Sequence, residues 1–441
     1  MNTPICDFVK GYGADNPARL HMPGHKGINA LGCEARDITE VTGADVLYHA
    51  TGIIRESEDN ATALFGTART VYSTEGSSLC IRGMLYLAMT HTGRRTLLAG
   101  RNAHATFVTA AALLDVDVQW LFAEGEGLTA CPVTAEMLSA ALERMESPPA
   151  AVYVTSPDYL GHTLDIAALA QVCHRHDTLL LVDNAHGAYL KFLPQDRHPI
   201  TPGADLCCDS AHKTLPVLTG GAYLHIAQGR EDLAAEAETA LALFASTSPS
   251  YLILQSLDGV NPYLERDYRG DLARCCEQVT ALKVSLTAAG YTVVGEEPLK
   301  VTIATKGYGY TGAAVAAYLE QQGFVCEFAD PDYLVLMVTP AIPEESLTHL
   351  AQVLTALPQR DAITDVPPTL TAPAVAMSPR QALFAPAETL PLSECIGRVL
   401  AAPTVGCPPA VPVLVGGEVV DERAAAVFRY YGYDTLRVVK E

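Results

Sequence analysis

The sequence predicts an α/β protein with a large domain built on a mostly parallel sheet and a smaller C-terminal α/β domain. Strand and helix patterns alternate from about residue 77 to about residue 225, which is typical of a parallel sheet covered on both faces. After residue 257 this alternation gives way to one long helix followed by shorter elements. The 441 residues suffice for two or three domains at ~150 residues each.

The large domain is expected over residues 1–260, where apolar spacing and turn residues predict its elements. Helices are predicted at 77–91, 105–114, 134–145 and 166–176, the third capped by Thr134. Buried strands are predicted at 96–99, 116–122, 151–155, 178–182, 206–208 and 222–225.

The C-terminal domain is expected over residues 261–441 and begins with a long helix at 271–289, which Gly290 ends. Strands are predicted at 292–294, 300–305, 324–328 and 333–338, and helices at 312–322 and 346–357. Residues 360–387 are rich in Pro, Ala and Thr and are interpreted as a connecting segment. The tail is expected to form a Pro-rich turn at 407–412, a helix near 421–430 and a last strand.

Charge excludes several classes of partner. The chain carries 29 Lys plus Arg against 50 Asp plus Glu, a net charge of −21. A nucleic-acid-binding protein needs a basic surface, and anionic membranes attract cations, so neither is an expected partner. An acidic protein mildly favours a cationic small molecule as its substrate.

Neither an export signal nor a zinc-binding cysteine pattern is evident in the sequence. Residues 1–10 contain Pro4 and Asp7 where a signal peptide would have its basic and apolar regions. The twelve cysteines lack paired C-x-x-C spacing, so we expect reduced, mostly buried thiols and a cytoplasmic protein. His21 and His25 flank Pro23 and Gly24, which break the helix that a metal-binding i, i+4 pair would need, so no metal is expected.

Two polar stretches that follow predicted strands carry the chemistry. Asp183 ends one hydrophobic strand, and Lys213 lies in a short polar turn between two others. Ligands of open α/β sheets bind beyond such strand ends. An amine that can condense with an aldehyde, together with a carboxylate that can hold a pyridine nitrogen protonated, suggests pyridoxal 5'-phosphate.

A phosphate site is expected at the start of the helix that begins near Ser77. Gly76, Ser77 and Ser78 offer backbone N–H groups and hydroxyls at a helix N-terminus, which suits a dianion. The same residues also suit a plain helix cap, and that alternative stays open. His104 begins the next helix, where its ring can stack on a cofactor or can simply occupy a helix start.

Eight short segments together resemble the ornithine/lysine/arginine decarboxylases of the aspartate-aminotransferase fold, called fold type I. They are residues 21–27 (HMPGHKG), 37–40 (DITE), 75–78 (EGSS), 183–187 (DNAHG), 210–214 (SAHKT), 247–251 (TSPSY), 407–412 (CPPAVP) and 417–418 (GE). The resemblance extends from about residue 15 to about residue 425. It implies a fold type I large domain and a short form of the family without the N-terminal flavodoxin-like wing domain.

The resemblance also implies roles for individual residues. Lys213 would carry the cofactor covalently, and Asp183 would pair with its pyridinium nitrogen. His104 would stack on the ring, and His186 would lie near the ring oxygen or the substrate carboxylate. The phosphate would be held by Ser77, Ser78, Ser210 and His212. Because the active site of this family lies at a subunit interface, a homodimer or a higher homo-oligomer is expected.

The expected function is pyridoxal-phosphate-dependent decarboxylation of lysine, arginine or ornithine to the amine. Glu327 and Asp330 are candidate anchors for the basic side chain of the substrate, although Glu327 also suits a solvent-exposed position on an edge strand. A different reaction with the same cofactor, such as transamination, stays open because Arg380 or Arg398 can be proposed to bind an α-carboxylate. A catalytically silent homologue is the third alternative, against which the intact Asp183 and Lys213 argue.

Overall fold

The computed structural model describes residues 1–122, 130–369, 372–405 and 411–441. Over these ranges the helices are α1 (Pro4–Asp15), α2 (Ile53–Phe65), α3 (Gly76–Thr92), α4 (Ala105–Leu114), α5 (Ala135–Glu143), α6 (Ile166–Arg175), α7 (Ala211–Thr214), α8 (Glu231–Ala242), α9 (Tyr251–Arg266), α10 (Tyr268–Ala288), α11 (Gly312–Gln321), α12 (Glu344–Ala356), α13 (Pro379–Phe384) and α14 (Glu422–Tyr430). No helix in the described part of the chain has the length and apolarity that crossing a bilayer requires. The expected cytoplasmic location stays a prediction.

The strands are β1 (Arg69–Ser73), β2 (Thr96–Gly100), β3 (Asp117–Leu121), β4 (Ala151–Thr155), β5 (Leu179–Asp183), β6 (Leu206–Asp209), β7 (Ala222–Ile226), β8 (Thr292–Val294), β9 (Lys300–Ala304), β10 (Phe328–Ala329), β11 (Tyr333–Met337), β12 (Ala387–Pro391), β13 (Thr404–Val405), β14 (Leu414–Val415) and β15 (Thr435–Val439). Seven of them form one sheet in the order β1-β7-β6-β5-β4-β2-β3. Strands β5 and β6 are parallel, as are β2 with β3 and β4, whereas β7 is antiparallel to β1 and β6. The predicted mostly parallel sheet is confirmed.

The chain divides into two compact units, each of two segments. The first unit contains residues 1–94 and 173–270, and the second contains residues 95–172 and 271–441. The predicted domain boundary between residues 260 and 261 stays a prediction.

The first unit contains strands β1, β5, β6 and β7, all of which are buried along their whole length. The run Leu-Leu-Leu-Val of β5 reflects this burial on both faces, since a half-exposed strand would alternate with polar residues. Helix α1 buries Ile5 and Val9, and the backbone N–H of Cys6 donates to the buried carboxylate of Asp258 on α9 at 2.8 Å. Helices α1, α2, α8 and α9 and strand β1 were not among the predicted elements.

The second unit contains β2, β3 and β4 and a four-stranded antiparallel sheet in the order β10-β11-β9-β8. Its C-terminal part pairs β12 with β15, and Asp421 caps α14 by accepting the N–H of Ala424 at 2.7 Å. Leu400, Val413 and Phe428 lie fully buried in the core between these elements. The predicted tail helix and last strand are therefore confirmed.

Three further predictions have different outcomes. The strand predicted at 324–328 is wrong, because the N–H of Phe324 closes the end of α11 on the carbonyl of Leu319, Val325 is exposed, and only Phe328 and Ala329 form a strand. Seven of the eleven cysteines in the described ranges are buried, which confirms the prediction of mostly buried thiols. The Pro-rich turn predicted at 407–412 falls mostly on residues 406–410, outside the described residues.

Candidate active site

The candidate site lies in the first unit, where two parallel strands end side by side. Strand β5 ends at Asp183 and β6 ends at Asp209, and their register pairs Asp183 with Cys208. Parallel strands bring their carboxyl ends to one edge of the sheet, so the segments that follow them meet there. The predicted turn that contains Lys213 is a single helical turn, α7, rather than an irregular loop.

Lys213 meets a histidine at this edge. Its Nζ lies 3.1 Å from Nε2 of His186, which is itself buried. The N–H of Lys213 donates to the carbonyl of Ser210 at 3.0 Å, which fixes the backbone of the turn. The structure therefore brings together two of the three residues predicted to be catalytic.

The carboxylate of Asp183 is buried and is held by neighbouring donors. Its Oδ1 accepts the N–H of Ala185 at 3.2 Å and the thiol of Cys208 at 3.6 Å. A buried carboxylate at this edge of the sheet is a suitable partner for a positively charged donor.

The predicted phosphate site joins the turn after β6 to the start of α3. The hydroxyl of Ser210 donates to that of Ser77 at 2.8 Å. Gly76 has φ of 71°, which favours glycine, and its N–H donates to the carbonyl of Gly220 at 2.8 Å. Ser77 and Ser210 therefore lie together at the N-terminus of α3, where backbone N–H groups favour an anion.

His212 and Glu75, which lie beside this site in the sequence, each form a hydrogen bond within the protein. The ring Nδ1 of His212 bonds the carbonyl of Gly221 at 3.0 Å, so Nδ1 carries the proton in that bond. The carboxylate of Glu75 accepts the N–H of Ser246 at 2.7 Å. Ser78 lies on the first turn of α3 and is half-buried.

His104 lies in the second unit and caps helix α4. Its Nδ1 accepts the N–H of Thr106 at 3.2 Å, which leaves the proton on Nε2. The His104 side chain is exposed. The helix-start interpretation of this histidine therefore holds, and its stacking role stays a prediction.

A buried network around Asp209 was missed by the sequence analysis. Oδ2 of Asp209 accepts Nε2–H of His198 and of His225, each at 3.0 Å. Oδ1 accepts Nδ2–H of Asn184 at 2.6 Å and the thiol of Cys207 at 3.8 Å. Burial alone would raise the pKa of Asp209, but the two histidines hold it below its ordinary value.

The same network shapes the loop between Asp183 and His186. Asn184 is fully buried, and a Cβ placed on Gly187 would lie 2.0 Å from its Oδ1. Any larger residue at position 187 would therefore displace the Asn184 side chain from Asp209. His198, Cys207 and Asp209 also present potential metal-binding atoms within 4.8 Å of one another. The hydrogen bonds to Asp209 account for this arrangement without an ion.

The two predicted substrate anchors lie in the second unit and differ in exposure. Glu327 is exposed, and its Oε1 accepts the hydroxyl of Tyr159 at 3.3 Å. Asp330 is buried, and its Oδ1 accepts the N–H groups of Asp332 at 2.7 Å and Tyr333 at 2.6 Å. Burial raises the pKa of Asp330 to about 6.

A second missed feature is a buried ion pair within the second unit. Arg101 binds Glu418 through two parallel bonds, Nη1 to Oε1 at 2.6 Å and Nη2 to Oε2 at 2.7 Å. Oε2 also accepts the N–H of Val415 at 2.8 Å, and the guanidinium lies 5.3 Å from the centre of the Trp120 ring. The ion pair joins the segment before His104 to the tail motif at Gly417.

Comparison with known proteins identifies the family. The model of the Orn/Lys/Arg decarboxylase major domain matches residues 3–288, and that of the C-terminal domain matches residues 362–435. The chain belongs to the Orn/Lys/Arg decarboxylase family. It is thus an amino-acid decarboxylase that acts on a basic amino acid, as predicted.

Individual relatives agree with this assignment. Arginine decarboxylase of Halalkalibacterium halodurans is 28% identical over 100% of this chain and 98% of its own length. Constitutive lysine decarboxylase of Escherichia coli is 23% identical over 98% of this chain and 77% of its own length. The structure of lysine decarboxylase A from Pseudomonas aeruginosa has a TM-score of 0.81 at 18% identity and covers 99% of this chain and 80% of that chain. The predicted fold type I large domain is confirmed.

Proposed function

We propose that this decarboxylase binds pyridoxal 5'-phosphate covalently at Lys213 and acts on arginine in preference to lysine and ornithine. The observation that carries the proposal is the 3.1 Å contact between Nζ of Lys213 and Nε2 of His186 at the carboxyl edge of β5 and β6. The family to which the chain belongs implies the same cofactor.

The chemistry of the site residues fits this cofactor. Lys213 supplies the amine for its aldehyde, and the buried carboxylate of Asp183 suits a protonated pyridine nitrogen. The hydroxyls of Ser77 and Ser210 suit the phosphate at the N-terminus of α3. The hydroxyl of Thr214, next to Lys213, is buried without a hydrogen-bond partner among the described residues, which suits a site made to receive polar atoms.

Each of these residues has a defined task in the proposed reaction. When bound, the cofactor supplies an electron-accepting ring that stabilises the charge left at Cα as CO2 departs. Asp183 stabilises the proton on the pyridine nitrogen. Lys213 and His186 share a proton between Nζ and Nε2, and this pair is the proton source for Cα of the product amine.

The preference for arginine rests on the relatives and on one side chain. Four of the curated relatives, with 25% to 28% identity, are named arginine decarboxylase, against one lysine decarboxylase at 23%. Glu327 is exposed beside Tyr159, whose ring lies 5.2 Å from that of Phe328. A carboxylate next to aromatic faces suits a planar guanidinium better than an ammonium ion. Asp330 remains the second candidate anchor, but its contacts with two backbone N–H groups make it the weaker one.

Transamination is the less favoured alternative. Nη1 of Arg380 donates to the carbonyls of Ala112 at 3.0 Å and Leu113 at 3.2 Å. Nη2 of Arg398 donates to Glu388 and to the carbonyl of Val439. Both guanidinium groups thus serve contacts within the protein, whereas an aminotransferase needs one for the substrate α-carboxylate.

The decisive experiment is a substrate panel on the purified holoenzyme. Release of CO2 and formation of the amine are measured with arginine, lysine and ornithine, with and without a 2-oxo acid. We expect agmatine to form fastest and without the acceptor. A requirement for the acceptor would establish transamination, and faster turnover of lysine or ornithine would refute the proposed preference.

Substitution of the proposed cofactor lysine tests the site itself. Lys213→Ala should abolish the cofactor absorbance band and the covalent label that borohydride fixes in the wild-type protein. Lys191→Ala is the matched control, since Nζ of Lys191 forms an ion pair with Asp196 at 2.7 Å. Borohydride labelling that persists in Lys213→Ala would refute the assignment of Lys213.

We also propose that the protein is at least a homodimer, as its relatives in this family suggest. Leu20, Ile28 and Leu31 are 95%, 74% and 87% exposed, although Arg19 and Glu34 fix their segment by hydrogen bonds. Ordered, exposed apolar side chains are typical of surfaces that bury against a partner. Light scattering on the purified holoenzyme should give at least twice the mass of the monomer. A mass equal to that of the monomer would refute this proposal.

A further inference from the structure

Tyr48 combines two unusual properties that the proposed reaction does not yet explain. Its backbone has φ of 69°, in the left-handed region that aromatic residues rarely adopt. Its side chain is only 4% exposed. A strained residue in the interior persists only where the surroundings impose it, and such residues cluster at functional sites.

The surroundings impose this conformation through hydrogen bonds on both sides of Tyr48. Before it, the hydroxyl of Tyr251 donates to the carbonyls of Ala44 at 3.1 Å and Asp45 at 2.8 Å. After it, the N–H groups of Thr51 and Gly52 donate to the carboxylate of Asp45 at 3.1 Å and 2.8 Å. The turn is therefore fixed before any ligand binds.

The hydroxyl of Tyr48 is buried and has no hydrogen-bond partner among the described residues. Such orphaned buried groups are rare, because each one loses the hydrogen bonds that water would give it. Burial, with the nearby Cys80 and Glu75, raises the pKa of Tyr48, so the oxygen keeps its proton and is a donor at neutral pH. Ser73 is the nearest polar side chain, but it does not reach hydrogen-bond geometry with the Tyr48 hydroxyl.

Three of the groups that act on this hydroxyl lie close in the sequence to the proposed phosphate site. They are Ser73 at the end of β1, Glu75 before α3 and Cys80 on the first turns of α3. The hydroxyl of Ser73 already donates to the carbonyl of Gly76 at 3.0 Å and accepts the N–H of Glu75 at 3.1 Å. An anion held at the N-terminus of α3 would offer the Tyr48 O–H an acceptor of higher charge than the Ser73 hydroxyl.

We propose that Tyr48 is a ligand of the cofactor phosphate and that its O–H donates to a phosphate oxygen held at the N-terminus of α3. This inference rests on the proposed binding of pyridoxal 5'-phosphate. It adds to the serine hydroxyls a phenol hydroxyl, which comes from a separate segment of the chain and is fixed in place before the cofactor binds. The fixed position reduces the ordering cost of binding.

The first test separates the phosphate from the rest of the cofactor. Affinities of the apoprotein for pyridoxal 5'-phosphate and for pyridoxal, which lacks the phosphate, are measured by absorbance titration. Tyr48→Phe should weaken binding of the phosphorylated form about ten- to a hundredfold, the usual range for one hydrogen bond to a charged group. Its affinity for pyridoxal should change less than about twofold, since that hydrogen bond is absent.

Tyr223→Phe is the matched control. Tyr223 is a buried tyrosine of β7 whose hydroxyl also lacks a partner among the residues that the structure describes. It should change neither affinity. An equal loss of affinity for both ligands in Tyr48→Phe would reveal a structural role for Tyr48, and an unchanged affinity for both would show that the hydroxyl faces bound water. Either result overturns the proposal.

The second test uses thermal melting and does not depend on turnover. Without cofactor, Tyr48→Phe should melt at the wild-type temperature or above it, because the orphaned hydroxyl contributes no bond. With saturating pyridoxal 5'-phosphate, Tyr48→Phe should melt at a lower temperature than the wild type. A lower melting temperature of the apo variant would mean that the hydroxyl has a protein partner, which overturns the proposal.

The proposed function and this inference fail in different ways. If the wild-type protein binds no pyridoxal 5'-phosphate, the proposed function is wrong and Tyr48 loses its assigned ligand. If the wild-type protein binds the cofactor and inorganic phosphate competes equally well in the wild type and Tyr48→Phe, only the role of Tyr48 is wrong.

Discussion

Replacement of Asp209 by alanine should be among the most destabilising single changes in the first unit. It removes the acceptor of three fully buried donors: Nε2–H of His198, Nε2–H of His225 and Nδ2–H of Asn184. Each orphaned donor costs about 1–3 kcal/mol, and part of that cost is returned because the buried charge of Asp209 is gone. The expected loss is about 3–5 kcal/mol, out of a typical total of about 5–15 kcal/mol.

Urea unfolding of the apoprotein measures this loss, with Asp205→Ala as the matched control. Asp205 directly precedes strand β6, which ends at Asp209. It pairs with Arg230 and His174, whose side chains are partly exposed and can form hydrogen bonds with water instead. Its removal should cost about 1–2 kcal/mol, mostly through the N–H of Leu180. If Asp209→Ala costs no more than Asp205→Ala, the buried network does not stabilise the fold and the reasoning fails.

Three further predictions concern glycine packing, a buried ion pair and pH. Gly187→Ala should destabilise by about 1–3 kcal/mol in urea unfolding through its clash with the buried amide of the site loop, whereas Gly24→Ala, which meets no atom within 4 Å, should not. In thermal melting, Arg101→Met and Glu418→Met should each destabilise strongly, but the double change should destabilise by less than their sum, because single changes leave a buried charge unpaired. Burial raises the pKa of Asp330 to about 6, above the 3.8 of an unperturbed aspartate, so its contribution to unfolding free energy is complete below pH ~4 and falls by up to about 3 kcal/mol as the pH rises through 6. Asp330→Asn should lack that fall. If urea unfolding shows the same change of unfolding free energy with pH in both proteins, the prediction is contradicted.

Local patterns were sufficient for most of the α/β fold. The predicted helix at 105–114 and strand at 151–155 agree with α4 and β4 at both ends, because a cap or a continuous buried run marks them in the sequence. The strand predicted at 324–328 failed because Gly323, with φ of 86°, and Phe324 complete the end of α11. Apolar residues at a helix end give the same local signal as a short strand.

The candidate site was only partly accessible to sequence reasoning. Asp183 and Lys213 follow hydrophobic strands, so their meeting at one edge of the sheet could be expected from strand order. The contacts of His198 and His225 with Asp209 could not, since they join positions 11 and 16 residues away through the packing of separate elements. The orphaned hydroxyl of Tyr48 leaves no trace in the sequence, because the lack of a partner is visible only in three dimensions.

The N-terminal segments are synthesised long before the segments that they contact in the folded protein. Helix α1 donates a hydrogen bond to Asp258, 252 positions later, and the β1 residue Arg69 pairs with Ile226 on β7. As the ribosome releases the chain, α1 must wait for 252 further residues to be added before its partner on α9 is made. Ile5 and Val9 are therefore uncovered on the nascent chain, where chaperones bind apolar segments. Folding of the first unit is consequently a late event, completed only after its second segment has left the ribosome.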